Sequence, residues 1–289
     1  MSGYAITKQQ KDYLATLVCQ RISDDAENRE LIEGFTNFRN PALPYALRKG
    51  WNADKKDKVA YYIVKDPADN ELLLFFSLKC GEMHIPLDPA KLEKSVENAL
   101  ALLKAAYGME APEWAADVIE KRKVDGRLPP DVFYELEARL EQSTRNQSRY
   151  NDEMQVEGDN IIRTKKTFAA VELVHFCVHD PARERWEAMG MSQGIGRTMF
   201  WQLVEPIVQN IRDLVGCEYI YLFAADADKN GPLTGYYKSL GFDFRDDISV
   251  NKPAYDFSCF FMCQEVTSLR KRKQDFFKSY NKPKEPAAV

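Results

Sequence analysis

Hydrophobic and polar positions along the chain follow two periods, and the switches between them mark the elements. Residues 4–6 read as a short opening strand. Thr7 and Gln10 then stand in capping-box spacing, and Leu14, Leu17, Val18 and Ile22 recur at helical spacing, which predicts a helix over 8–22. Asp25 is the expected cap of a second helix with Leu31, Ile32 and Phe35 on its buried side. Pro41 and Pro44 are expected to stop any helical continuation. Two β-rich runs follow, 59–64 and 71–78, and the turn-rich linker 66–70 between them predicts an antiparallel hairpin.

From 86 to about 165 the pattern becomes helical and charged. Leu92, Val96, Leu100 and Leu103 mark one amphipathic helix, Trp114, Val118 and Ile119 a shorter one, and Val132, Leu136 and Leu140 a third. The polar stretch 142–160 lacks apolar periodicity and is expected to be a mobile loop. The β-run 168–178 comes next, and Glu172 is its single carboxylate. After a glycine-punctuated turn, Phe200, Leu203, Val204, Ile207, Ile211 and Leu214 define a helical face that Pro206 should kink or restart and Gly216 should end. A strand at 219–223, a short helix at 233–240 closed by Gly241, and β-runs at 242–244 and 255–262 complete the pattern. A strand–turn–helix–strand unit implies a parallel pair with a right-handed crossover. The fold class is therefore α/β (α+β), in four segments: 1–85, a helical insertion at 86–165, a core at 166–265 and a basic tail at 266–289.

Composition narrows the function classes. The chain has 289 residues, 45% of them hydrophobic and 12% aromatic, which is enough for a substantial core. With 40 basic and 44 acidic residues the net charge is -4, so no global field draws nucleic acid or an anionic membrane. No charged-then-apolar leader pattern opens the chain, and no window approaches the roughly 18 apolar residues of a membrane span. A soluble, cytoplasmic protein is expected. Cys19, Cys80, Cys177, Cys217, Cys259 and Cys263 are scattered through apolar runs rather than spaced as a disulfide framework. Cys259 and Cys263 lack the further ligands of a zinc site, so no metal is expected and the pair is assigned to one face of a late strand.

The candidate chemistry centres on Met191, Ser192, Gln193, Gly194, Ile195, Gly196 and Arg197. A glycine turn that opens a helix leaves several backbone N–H groups without intrahelical partners, and the helix dipole adds positive potential there. Such a turn is an anion seat. About one strand later stand Asn230, Gly231, Tyr236, Tyr237, Gly241 and Phe242. The two stretches together resemble the GNAT superfamily of acetyl-CoA-dependent N-acyltransferases. The second follows that family's Asn-x-x-Ala-x-x-(Phe/Tyr)-Tyr-x-x-x-Gly-Phe pattern, with Leu233 at the small position. The first follows its (Arg/Gln)-x-x-Gly-x-(Gly/Ala) pyrophosphate loop, with Met191 where Arg or Gln is usual. Residues 168–262 carry the resemblance, and residues 4–80 fit by order of elements. A further departure is the extra length between Val178 and Met191, which holds Trp186. A dinucleotide-binding reading is disfavoured, because Gly190, Gly194 and Gly196 lack the Gly-x-Gly-x-x-Gly spacing.

The resemblance implies a mixed, largely antiparallel sheet with a splayed central parallel strand pair flanked by helices, and acetyl-CoA as cosubstrate. It implies that Gln193, Gly194, Ile195, Gly196 and Arg197, with Met191 at the head of the turn, hold the pyrophosphate, and that backbone groups of Cys177 and Val178 hold the pantetheine arm in the gap between the parallel strands. Asn230 is expected either to bond the cofactor or to cap the following helix. A primary amine with a pKa of about 10.4 is almost wholly protonated at pH 7, so a positioned base helps it attack a thioester. Glu172 is the candidate base, acting directly or through water, with a salt-bridged structural glutamate as the other reading. His175, on the opposite strand face by alternation, is the rival base. A phenol can protonate the departing thiolate, and Tyr237, at the family's tyrosine position, is the candidate general acid. Tyr236 is read as packing on the sheet.

Two function classes remain open. One is an N-acetyltransferase acting on an unidentified amine: a small metabolite, an antibiotic, a protein, or an aminoacyl-tRNA. The run at 74–78 before a long insertion resembles the tRNA-acetylating toxin branch of the family, whose members are typically shorter. The other is a non-catalytic acyl-CoA-sensing or interaction module, with Met191 as the mark of a degenerate site. The tail from Glu265 to Val289 carries seven basic and three acidic residues, centred on Arg270, Lys271, Arg272 and Lys273. It is read either as a solvated helix or as a contact for RNA or an acidic partner.

Overall fold

The structure is a computed structural model that describes residues 4–86, 164–251 and 258–283. The chain divides into two compact units, residues 1–84 with 167–289, and residues 85–166. The expected helices and loop of the insertion fall outside the described residues, as does most of the second unit. The first unit carries the sheet.

Its sheet has the order β1 (Val18–Arg21), β2 (Ala60–Asp66), β3 (Glu71–Pro86), β4 (Thr164–Val178), β5 (Tyr219–Ala224), β7 (Phe260–Glu265), with the short β6 (Ser249–Val250) paired to the far end of β3. β4 and β5 are parallel, while β1–β2, β2–β3, β3–β6 and β5–β7 are antiparallel. This is the mixed sheet with one parallel pair that the resemblance implied.

The first strand is not where the pattern placed it. Residues 4–6 form no strand; Ile6 instead donates its N–H to the Phe277 carbonyl. α1 (Lys8–Thr16) starts at the expected capping box, with Gln10 N bonded to Thr7 Oγ1 at 3.2 Å and Thr7 N to Gln10 Oε1 at 2.9 Å. It stops early, because Leu17 turns extended and Val18–Arg21 pairs with β2. The helical spacing of Leu17, Val18 and Ile22 yields to a ladder of cross-strand bonds that a sequence window cannot show.

The prolines were also misread as terminators. Pro41 is the N-cap of α3 (Ala42–Lys55) and Pro44 lies in its first turn, where a missing N–H costs nothing. α3 and α2 (Asn28–Glu33) cover one sheet face, burying Ile32, Phe35 and Leu47 against Ile63, Leu72 and Phe75. A Cβ on Gly50 would lie 2.6 Å from the Tyr61 ring, so α3 approaches β2 more closely than any larger residue permits. Buried Asp54 ties this layer together. Its carboxylate accepts from Arg21 Nε at 2.5 Å, Ser23 Oγ at 2.5 Å, Ser23 N at 3.1 Å and Tyr61 N at 2.7 Å.

The other face carries α1 and the helices that follow β4, β5 and β7. Alternation along β2 and β3 divides the two cores: Val64, Leu74 and Phe76 join Met199, Phe200, Val208, Ile220 and Leu269 on this side. A helical rod runs from α5 (Ile195–Met199) through a π turn (Phe200–Val204) into α6 (Glu205–Val215). The π turn immediately precedes Pro206, whose ring and missing N–H force the helix to reorganise as expected. Gly216 ends the rod at φ 75°.

Residues 242–244 contribute one bridge, Asp243 to Cys263, rather than a strand, and the last strand spans Phe260–Glu265, while the start of the expected run at 255–257 lies outside the described residues. The basic tail folds as α8 (Val266–Lys278). Arg272 bonds the Gly241 carbonyl and Gln264 Oε1, Lys273 bonds Glu205 at 2.9 Å, and Arg270 reaches Asp213 at 3.5 Å. Three of the four central cations thus have partners within the fold. Among the described residues no helix is long and apolar enough to cross a membrane.

Candidate active site

The site begins where two strands stop pairing. β4 and β5 pair through Ala170–Tyr219, Val171–Ile220 and Glu172–Tyr221, preceded by a bond from Glu218 N to the Ala169 carbonyl at 2.9 Å. Beyond Glu172, β4 continues to Val178 without β5, and β5 continues along β7 as far as Ala224. A gap opens between backbones that would otherwise hydrogen-bond. A cavity of about 1440 Å³ occupies this region, with β4 residues 172 and 174–178 on one wall. Its other walls come from the 191–197 turn, from Pro232, Leu233, Tyr236 and Tyr237, and from residues of 37–46.

The turn is held from behind. Trp186 Nε1 donates to the Gln193 carbonyl at 2.8 Å and Gln193 Nε2 to the Tyr280 carbonyl at 2.9 Å. Ser192 Oγ meets Asn281 Oδ1 at 2.5 Å, and Gln10 Nε2 reaches the Gly190 carbonyl at 3.2 Å. Gly190, at φ 70°, makes the reversal that leads into the turn. Met191 is buried, with its sulfur 3.6 Å from the Tyr280 hydroxyl. Gly194 is extended at φ -60°, ψ 143°, and its carbonyl accepts the first helical bond, from Thr198 N at 3.1 Å. The N–H groups of Ile195, Gly196 and Arg197 therefore precede the helical bonding pattern at the cavity wall, as an anion seat requires. A Cβ on Gly196 would lie 2.6 Å from the Tyr236 hydroxyl and 3.4 Å from Phe176, so only glycine fits there.

A second helix borders the turn. The extra length between Val178 and Met191 contains α4 (Asp180–Ala188), with Pro181 in its first turn. Trp186 on α4 is buried and braces Gln193, and Arg183 on α4 lines the cavity. Arg185 fastens the same helix to the hairpin turn through Asp66, Asp69 and Glu71.

Two polar atoms at this wall are shut off from water and have no hydrogen-bond partner among the described residues: the Tyr236 hydroxyl and Arg183 Nε. Burial pushes the Tyr236 phenol well above its ordinary range, and the neighbouring phenol of Tyr237 adds to the rise while Arg197 and Arg183 oppose it. Orphaned donors beside a glycine cradle fit an oxyanion such as a diphosphate.

The same cavity holds titratable groups whose pKa values burial shifts. Glu172 is 6% exposed, and Tyr221 Oη donates to its Oε2 at 3.4 Å. Burial raises its pKa, with Lys79 and the Tyr221 bond pulling the other way, so the carboxylate is a stronger base than in water. Tyr237 is 8% exposed, edge-on to Phe242 at 5.9 Å, and its pKa is raised by burial and then by the nearby Cys177. It stays protonated across the neutral range. Burial pushes the Cys177 thiol up to about 12, so it is no thiolate nucleophile. Asn37 Nδ2 donates to the Val178 carbonyl at 3.0 Å, which joins the 37–46 segment to the strand gap.

Strand alternation had set His175 on the face away from Glu172, yet both line the cavity. The His175 ring lies on Tyr61 at 5.6 Å, and its Nδ1 is 2.7 Å from Ser77 Oγ. Burial lowers its pKa to about 4, which leaves it neutral and a poor proton acceptor near pH 7.

Glu172, Cys177, Val178, Met191, Gln193, Gly194, Ile195, Gly196, Arg197 and Tyr237 therefore meet at one cavity. Asn230 is exposed and is not among the residues lining it. Nor does it cap α7 (Pro232–Ser239): Asp226 Oδ2 takes the Thr234 N–H at 2.6 Å. Arg183, the Tyr236 hydroxyl and Asn37 were missed as site groups. The Asp180–Pro181 helix start was a readable signal for the element that carries Arg183.

The fold and site define a chain with parted parallel strands and a glycine anion seat in one cavity. Solved structures of related shape include a mutant of KacT, at 11% identity and TM-score 0.47, covering 89% of this chain and 98% of that one. AtaTR bound with AcCoA matches at 12% identity and TM-score 0.44, over 89% of this chain and 98% of that chain. AtaT complexed with acetyl-methionyl-tRNAfMet matches at 12% identity and TM-score 0.42, over 88% and 98%. No protein-family model matches the sequence, and a comparison by sequence finds no match among curated proteins.

Proposed function

We propose that this protein is an N-acetyltransferase that moves the acetyl group of acetyl-CoA to a primary amine by direct attack. The observation that supports it most is the joining, in one cavity, of the strand gap beyond Glu172 with the glycine turn at 194–196. Backbone N–H groups at 195–197 receive the diphosphate, with Arg197 adding charge. Cys177 and Val178 lend backbone groups to the pantetheine arm, which takes the place of the strand partner that β4 has lost. Residues 37–46 form the remaining wall, to which we assign the acceptor.

In the reaction the amine nitrogen attacks the thioester carbon and the nitrogen's proton passes to Glu172, directly or through one water. The carbon–sulfur bond breaks, and the CoA thiolate takes the Tyr237 phenol proton. Burial makes the carboxylate more basic, which suits it to accept the proton, and it keeps the phenol in its protonated form near pH 7. His175, neutral and bonded to Ser77, shapes the wall and takes no proton. Met191 is a core residue in contact with Tyr280.

The test is release of CoA from acetyl-CoA in the presence of a mixed amine panel, with the parent compared to Tyr237→Phe. Amine-dependent turnover that falls roughly 10²- to 10⁴-fold in the variant supports the assignment. CoA binding with no turnover of any amine assigns the cavity to a non-catalytic acyl-CoA-binding module.

A further inference from the structure

Met191 stands where the resembling family places Arg or Gln, and its side chain is buried against Tyr280. The turn thus lacks a cation at its first position. Arg183 stands nearby on α4, in the extra length between Val178 and Met191. Its Nε is closed off from water without a hydrogen-bond partner, and the carboxylate it pairs with, Asp180, is 3.7 Å away, beyond hydrogen-bond length. The Tyr236 hydroxyl, equally without a partner, sits against Gly196, and both Arg183 and Arg197 are close enough to act on it electrostatically. Two guanidinium groups and a phenol therefore gather at the wall where the first N–H groups of the helix emerge. Unsatisfied donors of this kind cost folding free energy unless an acceptor arrives.

We propose that Arg183 and Tyr236 form the side-chain half of the diphosphate site, so that α4 supplies the cation that position 191 lacks. The proposal rests on the acetyl-CoA reading above. The guanidinium donates to diphosphate oxygens through its Nε edge, Tyr236 donates its O–H to the same group, and the 195–197 N–H groups hold the other side. Tyr236 is in this way a binding residue as well as a packing one, and Gly196 is required to make room for its hydroxyl.

Calorimetry with CoA, and with inorganic pyrophosphate alone, tests the proposal on the full chain. Arg183→Gln is expected to weaken CoA roughly 10- to 100-fold, with Arg183→Lys falling between it and the parent. Tyr236→Phe should lose roughly 3- to 10-fold. Pyrophosphate measured alone should lose affinity by a similar factor in Arg183→Gln, in a variant that keeps a cooperative melt. CoA affinity within twofold of the parent in Arg183→Gln, or weakened CoA binding with unchanged pyrophosphate affinity, overturns the proposal and leaves the acetyl-CoA reading standing. A parent protein that binds no CoA removes that reading as well.

Discussion

The two ends of the cavity that we assign to the acyl donor and to the acceptor are built in different ways. The donor end is framed by backbone, namely a glycine turn, the first N–H groups of a helix and a strand edge without its partner, braced from behind by Trp186, Tyr280 and Asn281, with Arg183 and Tyr236 as its side-chain complement. The acceptor end is mostly side chain, assembled from residues of 37–46 and from His175 on β4. Backbone geometry tolerates few substitutions, because a Cβ in the wrong place blocks the site outright. Side-chain walls can be rebuilt residue by residue, so an architecture of this kind can keep one donor while changing its acceptor.

Variants at the two ends should separate accordingly. The largest effect on binding is expected for Gly196→Glu, which sets bulk and negative charge in the diphosphate seat and against the Tyr236 hydroxyl. CoA affinity should fall by at least about 100-fold. Calorimetry on a variant that still shows the parent's cooperative melt checks this, and unchanged affinity would reject the placement.

Glu172→Gln tests the junction between the two ends. The buried carboxylate has a raised pKa and works only when deprotonated, so the parent's rate should climb as pH rises through that pKa. The variant should lose roughly 10- to 100-fold below pH 8 and approach the parent above it, where more of the amine is already neutral. A uniform loss at every pH would make Glu172 a structural residue.

The smallest effect belongs to the acceptor wall. Ala46→Trp narrows it and should raise the KM for the amine roughly tenfold while leaving CoA affinity unchanged. Equal effects on both ligands would dissolve the distinction between the ends.

The same contrast explains what could be read from the sequence. The hairpin at 60–66 and 71–86, the rod after Gly194 and the capping box at Thr7 follow from local periods and local bonds, and they are present. β1 was read as helix because its pairing with β2 lies some forty residues away in the chain. α3 was hidden by two prolines that open helices as readily as they end them. α4 was concealed by its charges, since Arg185 serves the hairpin turn and only Ala182 and Trp186 are buried. In the site, the glycine turn was legible because a backbone requirement leaves a fixed spacing. Arg183, Tyr236 and Asn37 were not, because their roles come from tertiary neighbours.

A crystal structure with acetyl-CoA tests the central claim most directly. The account predicts the diphosphate against the N–H groups of Ile195, Gly196 and Arg197, the pantetheine along β4 at Cys177 and Val178, and the thioester beside Tyr237 with Glu172 on the acceptor side. Acetyl-CoA bound elsewhere on the molecule, with the gap between β4 and β5 empty, would contradict it.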